Sequence, residues 1–241
     1  MKTSYYFISD IHFGLLNHEE EILRELEFVK FLYSIKDSAK ELYLLGDLFD
    51  YWFEYKKVIQ KGYFRTFTAL NDLVINGTKI HYIIGNHDFM HRDFFEKEIG
   101  VKLYQTEIEK EIDGAKFFLG HGDGLVKNDY GYLLLKKIFR SKTAQTLYSL
   151  IHPNFGIKIA SKTSRTSRDY TEKKDYGVGD GLFEFAKNKI DSGFDYVILG
   201  HTHKLQLKKY NNGVYANLGT WLEKPVYGIY ENNKFDIKDW K

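Results

Sequence analysis

Five short stretches of this 241-residue chain carry the side chains best suited to holding cations and moving protons. They are Asp10-Ile11-His12, Gly46-Asp47-Leu48-Phe49-Asp50, Gly85-Asn86-His87-Asp88, Gly120-His121-Gly122-Asp123 and Gly200-His201-Thr202-His203. Their donors are carboxylate, carboxamide and imidazole. The chain has no cysteine, so disulfides, thiolate metal sites and cysteine nucleophiles are excluded. Oxygen and imidazole donors suit Mn2+, Fe or Zn better than Cu(I). An Asp carboxylate can bridge two cations, and a pair about 3.5–4 Å apart can activate water and clamp both oxygens of a phosphoryl displacement. Any one motif recurs by chance, but five in order, holding five of the nine histidines, point to a site. His18, His81, His91 and His152 fall outside them and read as structural or surface residues.

Each motif follows a short apolar run with strand character: Tyr5 to Ile8, Leu42 to Leu45, Ile80 to Ile84, Phe117 to Leu119 and Tyr196 to Leu199. Ligands in open α/β sheets gather at the carboxyl ends of strands, so the five loops are expected to converge. Residues two apart in an extended segment face one side, which puts Asp10 with His12 and His201 with His203. Glycine before the polar residue, at positions 46, 85, 120 and 200, permits unusual backbone angles and close approach.

Between the runs, Glu19 to Lys36 and Tyr63 to Val74 show helical spacing, the latter stopped near Asn76-Gly77. The alternation predicts βαβ units and a largely buried sheet in one α/β domain over 1–241. Asn211-Asn212-Gly213 and Asn232-Asn233 punctuate alternating segments such as Lys204 to Tyr210 and Val226 to Tyr230, which predict antiparallel strands extending or facing the first sheet. About 128–192 the strand rhythm stops. Tyr130 to Arg140, Thr143 to Ile151 and Gly156 to Lys174 look helical, with Pro153 between. An insertion placed there is either a lid over the site or a hairpin that pads the core.

Net charge is +2, unevenly spread: residues 125–180 hold 11 Lys and Arg against 5 Asp and Glu. That excess fits phosphate groups, an anionic membrane surface, or a solvated helical face. The charge is too balanced overall for a nucleic-acid partner. The opening apolar run is too short for a signal peptide, and no run nears the ~20 residues that cross a bilayer, so the expected compartment is the cytoplasm.

The ordered motifs, spanning residues 10–203, resemble the calcineurin-like metallophosphoesterase superfamily. The resemblance implies a four-layer αββα sandwich with a helical lid insertion, and two divalent metal ions. Asp10, His12, Asp47 and His203 would hold one ion, and Asp47, Asn86, His121 and His201 the other, with Asp47 as bridge. Asn86, His87 and Asp88 would form the catalytic group, His87 acting on the phosphate or leaving group and Asp88 orienting it, with attack on phosphorus proceeding without a phosphoenzyme.

Within the superfamily the chain is most similar to the UDP-2,3-diacylglucosamine diphosphatases of lipid A biosynthesis. Ile8-Ser9-Asp10-Ile11-His12, His121-Gly122-Asp123-Gly124-Leu125, the insertion before Gly-His-Thr-His and the closing Leu218-Gly219-Thr220-Trp221 carry that likeness. It implies Mn2+-dependent hydrolysis of a pyrophosphate bond to UMP and 2,3-diacylglucosamine 1-phosphate, by a peripheral protein on the cytoplasmic face of the inner membrane. The substrate contacts carried over are Asn86, His87, Asp129, Ser167, Thr171, Lys174 and His201. Thr171 stands where the family has Asn, and spacing of i, i+4 and i+7 keeps Ser167, Thr171 and Lys174 on one helical face, a pattern a solvated helix also shows. His87 stands where many members have Arg, which also admits a soluble nucleotide or another phosphoester as substrate. Leu133 to Leu135, Ile138, Phe139, Leu147, Leu150, Ile151, Phe155 and Ile157 sit among basic residues, as an acyl-chain groove with a cationic rim or as a small helical core. A non-catalytic binding module should have lost ligands, yet every expected position is filled.

Overall fold

The computed structural model describes residues 2–126, 136–138, 140–156 and 181–240. Strand β1 (Ser4–Ile8) is buried along its whole length, because both its faces are covered. Tyr6 and Ile8 point into a core shared with Phe28, Phe31, Leu42 and Leu44, whereas Tyr5 and Phe7 point into one shared with Tyr43, Phe117 and Ile198. The period-2 alternation of a strand thus divides one apolar run between two cores.

Helix α1 (His18–Ser34) begins at Asn17, whose side chain accepts from Glu20 N, and three glutamates in its first turn complement the helix dipole. Strands β2 (Ala39–Leu44) and β3 (Lys79–Ile83), with helix α2 (Phe64–Ile75) between them, continue the βαβ pattern. A one-turn π-helix (Phe95–Ile99) leads to β4 (Lys102–Tyr104), and β5 (Ile108–Ile112) and β6 (Ala115–Leu119) form a hairpin. Helices α3 (Lys142–Tyr148) and α4 (Gly181–Asp191) precede β7 (Tyr196–Leu199), β8 (Leu205–Tyr210), β9 (Gly213–Leu218), β10 (Val226–Glu231) and β11 (Lys234–Asp239).

The strands make two sheets, ordered β11-β10-β1-β2-β3-β4 and β5-β6-β7-β9-β8. Helices α1 and α2 supply residues to the core outside the first sheet, and α4 does so outside the second through Leu182, Ala186 and Ile190. The layers are therefore helices, sheet, sheet and helix, as the αββα expectation requires. Between the sheets the Phe7 ring stacks on Tyr43 and Phe117 at 5.1 and 5.9 Å between centroids. Truncation of such a fully buried ring to alanine costs about 3–5 kcal/mol.

Parallel pairing sets the site's position. Ile8 pairs with Leu44 and Leu44 with Tyr82, so the loops after β1, β2 and β3 leave the same edge of the first sheet. Leu119 pairs with Ile198, which brings the loops after β6 and β7 out together from the second.

The C-terminal antiparallel segments divide their work. The β10–β11 hairpin extends the first sheet, and the β8–β9 hairpin completes the second. Helix α4 lies inside the stretch read as insertion, yet it packs on the second sheet as a core helix. Its Leu182, Ala186 and Ile190 recur at i, i+4 and i+8, a helical stripe that adjacent helical signals obscured. The predicted helices Tyr130 to Arg140 and Gly156 to Lys174 lie largely outside the described residues.

Candidate metal centre and active site

The five loops meet. Asp10, His12 and His203 each place a donor atom within 4.8 Å of the others; so do Asp10, Asp47 and His121, and so do His12, Asp47 and His87. Backbone donors hold the carboxylates from one loop to the next. Asp10 Oδ2 accepts from His201 N at 3.0 Å and from the Ser9 hydroxyl. Asp47 Oδ1 accepts from His87 N at 2.9 Å, and His12 N donates to Asp47 O at 2.9 Å. Each Asp is thereby fixed through one oxygen while its second faces imidazoles. Asp10 Oδ1 lies 3.6 Å from His12 Nε2 and 3.4 Å from His203 Nε2; Asp47 Oδ2 lies 3.2 Å from His121 Nε2 and 3.8 Å from His12 Nε2.

These contacts depend on a strained backbone. Asp10, His12, Asp47, His201 and His203 all adopt left-handed φ, between 53° and 71°. Asp10 and His12 do converge, while the His201 ring lies beside His121 and the His203 ring beside His12, all through left-handed kinks rather than the extended geometry expected from sequence. Non-glycine residues held this way cost of order 1–3 kcal/mol each and cluster at active sites. The preceding glycines make room. A Cβ on Gly85 would strike the Asp47 carboxylate, and one on Gly200 would strike Ser9 Oγ and Asp10 Oδ2.

The donor set fits cations. His121 Nδ1 donates to Leu45 O at 2.9 Å, which leaves Nε2 as a lone pair. That lone pair faces Asp47 Oδ2 at 3.2 Å and Asn86 Oδ1 at 2.9 Å, three acceptors aimed at one point. His12 Nε2 and His203 Nε2 stand 3.1 Å apart in the same way, beside Asp10 Oδ1, a buried oxygen with no hydrogen-bond partner. Convergent lone pairs in a buried site require either extra protons or metal ions. Without metal the site chooses protons. Burial opposes charge on His12, but Asp10 and Asp50 outweigh it and raise its pKa to about 9. Burial likewise opposes charge on His121, and Asp47 with Asp10 raises it to about 10. His201, its ring 5.1 Å from that of His121, is pushed down to about 4 by burial and then by the neighbouring cation. Burial alone would raise the Asp10 and Asp47 carboxyls, yet the imidazoles, His121 foremost, hold both well below the ordinary range.

The partner of His87 differs from the expected one. Asp88 is fully buried, accepting from Gly85 N at 2.9 Å, Leu48 N at 2.8 Å, Phe49 N and the Tyr82 hydroxyl. It ties the β3 loop to the β2 loop. The His87 ring instead turns Nδ1 toward Asp50, 3.2 Å from the carbonyl and 3.7 Å from Oδ1. Asp50 Oδ1 also lies 3.6 Å from His12 Nδ1, so one carboxylate serves two rings. Asp50 stood in the Gly-Asp-x-x-Asp motif, but nothing in its spacing announced that role.

Two basic residues also reach the site unannounced. Lys136 Nζ lies 2.7 Å from the buried Asp123 Oδ2, and Arg140 Nη2 donates to Gly85 O at 3.1 Å, next to Asn86. The basic excess of 125–180 was their one signal. Asp129, Ser167, Thr171 and Lys174 lie outside the described residues. Of the apolar insertion residues that are described, Leu147, Leu150 and Phe155 are 62%, 79% and 66% exposed, and α3 has no buried residue, so this part of the insertion does not pad a core. It is tied to the β2 loop by Tyr51 Oη donating to Tyr148 Oη at 3.0 Å and Tyr55 Oη to Ile151 O at 3.2 Å. Among the described residues no helix is long and apolar enough to cross a membrane.

Comparison with known proteins agrees with this geometry. The family profile described as calcineurin-like phosphoesterase matches residues 3–205, which contain all five motifs. The chain is 30% identical to a UDP-2,3-diacylglucosamine hydrolase of Porphyromonas gingivalis, over 96% of this chain and 95% of that one. It is also 30% identical to one of Haemophilus influenzae, over 99% and 100% respectively. A solved archaeal phosphodiesterase, 14% identical, superposes with a TM-score of 0.50 over 98% of this chain and 99% of its own, a likeness of fold. With its motifs converged in this fold and the family profile spanning most of its length, the chain belongs to the calcineurin-like phosphoesterases and is a metal-dependent phosphoesterase.

Proposed function

We propose that this protein hydrolyses the pyrophosphate bond of UDP-2,3-diacylglucosamine, giving UMP and 2,3-diacylglucosamine 1-phosphate, with two Mn2+ ions. The supporting observation is the pair of relatives, each named for hydrolysis of UDP-2,3-diacylglucosamine, that match this chain nearly end to end. One ion is assigned to Asp10, His12, Asp47 and His203, the other to Asp47, Asn86, His121 and His201. When bound, the two cations supply Lewis acidity, lowering the pKa of water and neutralising charge on the phosphoryl oxygens.

The chain's own residues do the rest. Asp47 keeps both subsites in register, because Oδ1 is locked by His87 N and Oδ2 faces His121 and His12. Asp50 holds Nδ1 of His87 and its negative charge favours the imidazolium form, in which the far nitrogen, Nε2, has a proton to give to the departing phosphate oxygen. Water contributes its oxygen to one phosphorus, the bridging P–O bond breaks, and the departing phosphate receives the proton. Arg140 places positive charge next to Asn86 through Gly85 O, and Lys136 adds charge at Asp123, a basic rim suited to the second phosphate of a pyrophosphate. The outward Leu147, Leu150 and Phe155 support acyl chains lying along the insertion, and attachment to the cytoplasmic face of the inner membrane follows the same reading.

Purified protein with Mn2+ and UDP-2,3-diacylglucosamine tests the assignment. Release of UMP supports it. Turnover of soluble phosphodiesters with no UMP from the lipid overturns the substrate and favours the alternative admitted by His87, a soluble nucleotide or other phosphoester.

A further inference from the structure

Apart from the proposed metal ligands and catalytic residues, a buried carboxylate–imidazole contact has no assigned task. Glu54 is 2% exposed and the His91 side chain fully buried, with Nδ1 3.6 Å from Glu54 Oε1. Neither nitrogen of His91 has a hydrogen-bond partner closer than that, and the ring lies against Trp52, Tyr82 and Phe95, at 5.9, 5.0 and 5.1 Å between centroids. A pocket of three aromatic rings suits an apolar side chain. An imidazole there, aimed at a buried carboxylate, needs a reason, because a buried carboxylate carries a desolvation penalty of several kcal/mol and a polar ring is lodged where an apolar one would pack.

The carboxylate joins two segments. Glu54 Oε1 accepts from Trp52 Nε1 at 3.0 Å within the β2 loop, whereas Oε2 accepts from Asp93 N and Phe94 N at 2.9 and 3.1 Å in the segment after the β3 loop. Glu54 N donates to Met90 O at 3.2 Å, beside a parallel bridge between Phe53 and Met90. Asp88 makes the reciprocal tie nearer the metal ligands, from the β3 loop to Leu48 N and Phe49 N. On the β2 loop Asp50 stands between the two ties, and it faces the His87 ring, which comes just before Asp88 on the β3 loop. Tyr82 connects the ties, its hydroxyl on Asp88 and its ring edge against His91.

We propose that Glu54 and His91 are a positioning pair that sets the spacing of Asp50 and the His87 ring. Without the pair the β2 and β3 loops remain joined at Asp88 but are free to splay beyond it. The shift falls on Asp50, beyond the Asp88 tie, and so on its contact with the His87 ring, while the His87 backbone and the Asp47 carboxylate stay joined through His87 N. The proposal rests on the phosphoesterase chemistry and not on the lipid substrate.

The test uses full-length protein, loaded with Mn2+ for kinetics on a soluble p-nitrophenyl phosphodiester and with diamagnetic Zn2+ for NMR of 15N-labelled histidine rings. For Glu54→Gln and His91→Phe, kcat should fall by about 10- to 100-fold, the range for lost supporting contacts. KM and metal content should stay near wild type. The His87 ring resonances should shift and those of exposed His18 should not. Should either variant fail to fold, His91→Gln, which keeps a donor near Glu54, takes its place and should lose less kcat than His91→Phe. Unchanged kcat and unchanged His87 resonances in folded variants with lowered thermal stability would reduce the pair to packing. Loss of metal, or a rise in KM alone, would equally overturn the proposal. If the lipid releases no UMP while the phosphodiester turns over, the substrate assignment falls and this test stands; should the wild type hydrolyse neither, the His87 resonances decide it.

Discussion

Replacing Gly85 with alanine adds one methyl group and should disable the enzyme. The new Cβ would sit 2.5 Å from Asp47 N and 2.8 Å from Asp47 Cγ, where ordinary contact begins at 3.4 Å. Backbone and a locked carboxylate cannot swing aside as a flexible side-chain tip would, so Asp47 must move by about 1 Å, a displacement that can cost about 100-fold in rate. Overpacking adds about 1–3 kcal/mol of destabilisation. Gly77→Ala is the matched control. Its φ of +86° makes alanine strained, at about 1–2 kcal/mol, but its Cβ meets nothing within 4 Å. The two variants should therefore lose similar stability, while Gly85→Ala alone loses kcat and Mn2+ stoichiometry, read by steady-state kinetics and metal analysis. Wild-type kcat with two ions bound in Gly85→Ala would refute the claim that Asp47 is the fixed shared ligand.

Four further outcomes are expected. Asp50→Asn should lower kcat by about 10- to 100-fold with little change in KM, because it removes charge behind the His87 ring without removing a proposed metal ligand; unchanged kcat would separate Asp50 from catalysis. Removing metal with a chelator should abolish phosphodiester turnover, and Mn2+ should restore it. In the metal-free protein, His12 and His121 are raised from 6.5 to about 9 and about 10, so their contribution to stability is complete below pH 6.5 and is lost as pH rises through those values. Metal must displace these protons, so Mn2+ binding should release protons at pH 8 and weaken as pH falls, both measurable by calorimetry in buffers of different ionisation enthalpy. Glu41, mostly buried, is held at about 2 because contacts with His81 and Tyr43 outweigh its burial. Its stabilisation is present above pH 4.5 and lost as pH falls through 2, so the destabilisation by Glu41→Gln should be largest near neutrality and fade in acid.

The sequence carried the site's membership more faithfully than its geometry. Asp10, His12, Asp47, Asn86, His121, His201 and His203 announced themselves because polar residues placed immediately after apolar strands share a sheet edge once the strands pair in parallel. The left-handed kinks at five of these positions were hidden, since α-carbon strain is set by contacts made between loops. Asp50 rather than the expected Asp88 faces the His87 ring for a similar reason. Which carboxylate faces the His87 ring depends on where the β2 loop crosses the β3 loop, a long-range contact that motif spacing does not encode. Strands β1, β2, β3, β6 and β7 were legible from their apolar runs. Strand β4 was too short, and the alternation in Ile108–Ile112 was masked by charges at its three central positions. Helix α4 was read as insertion because its amphipathic stripe follows other helical patterns without an intervening strand.

The most direct test of the central claim is anomalous diffraction from crystals of the Mn2+-loaded protein. Two peaks about 3.5–4 Å apart, as in two-metal hydrolases, should fall one among Asp10, His12 and His203 and the other among Asn86, His121 and His201, with Asp47 touching both. A single peak, or peaks away from these side chains, would contradict it.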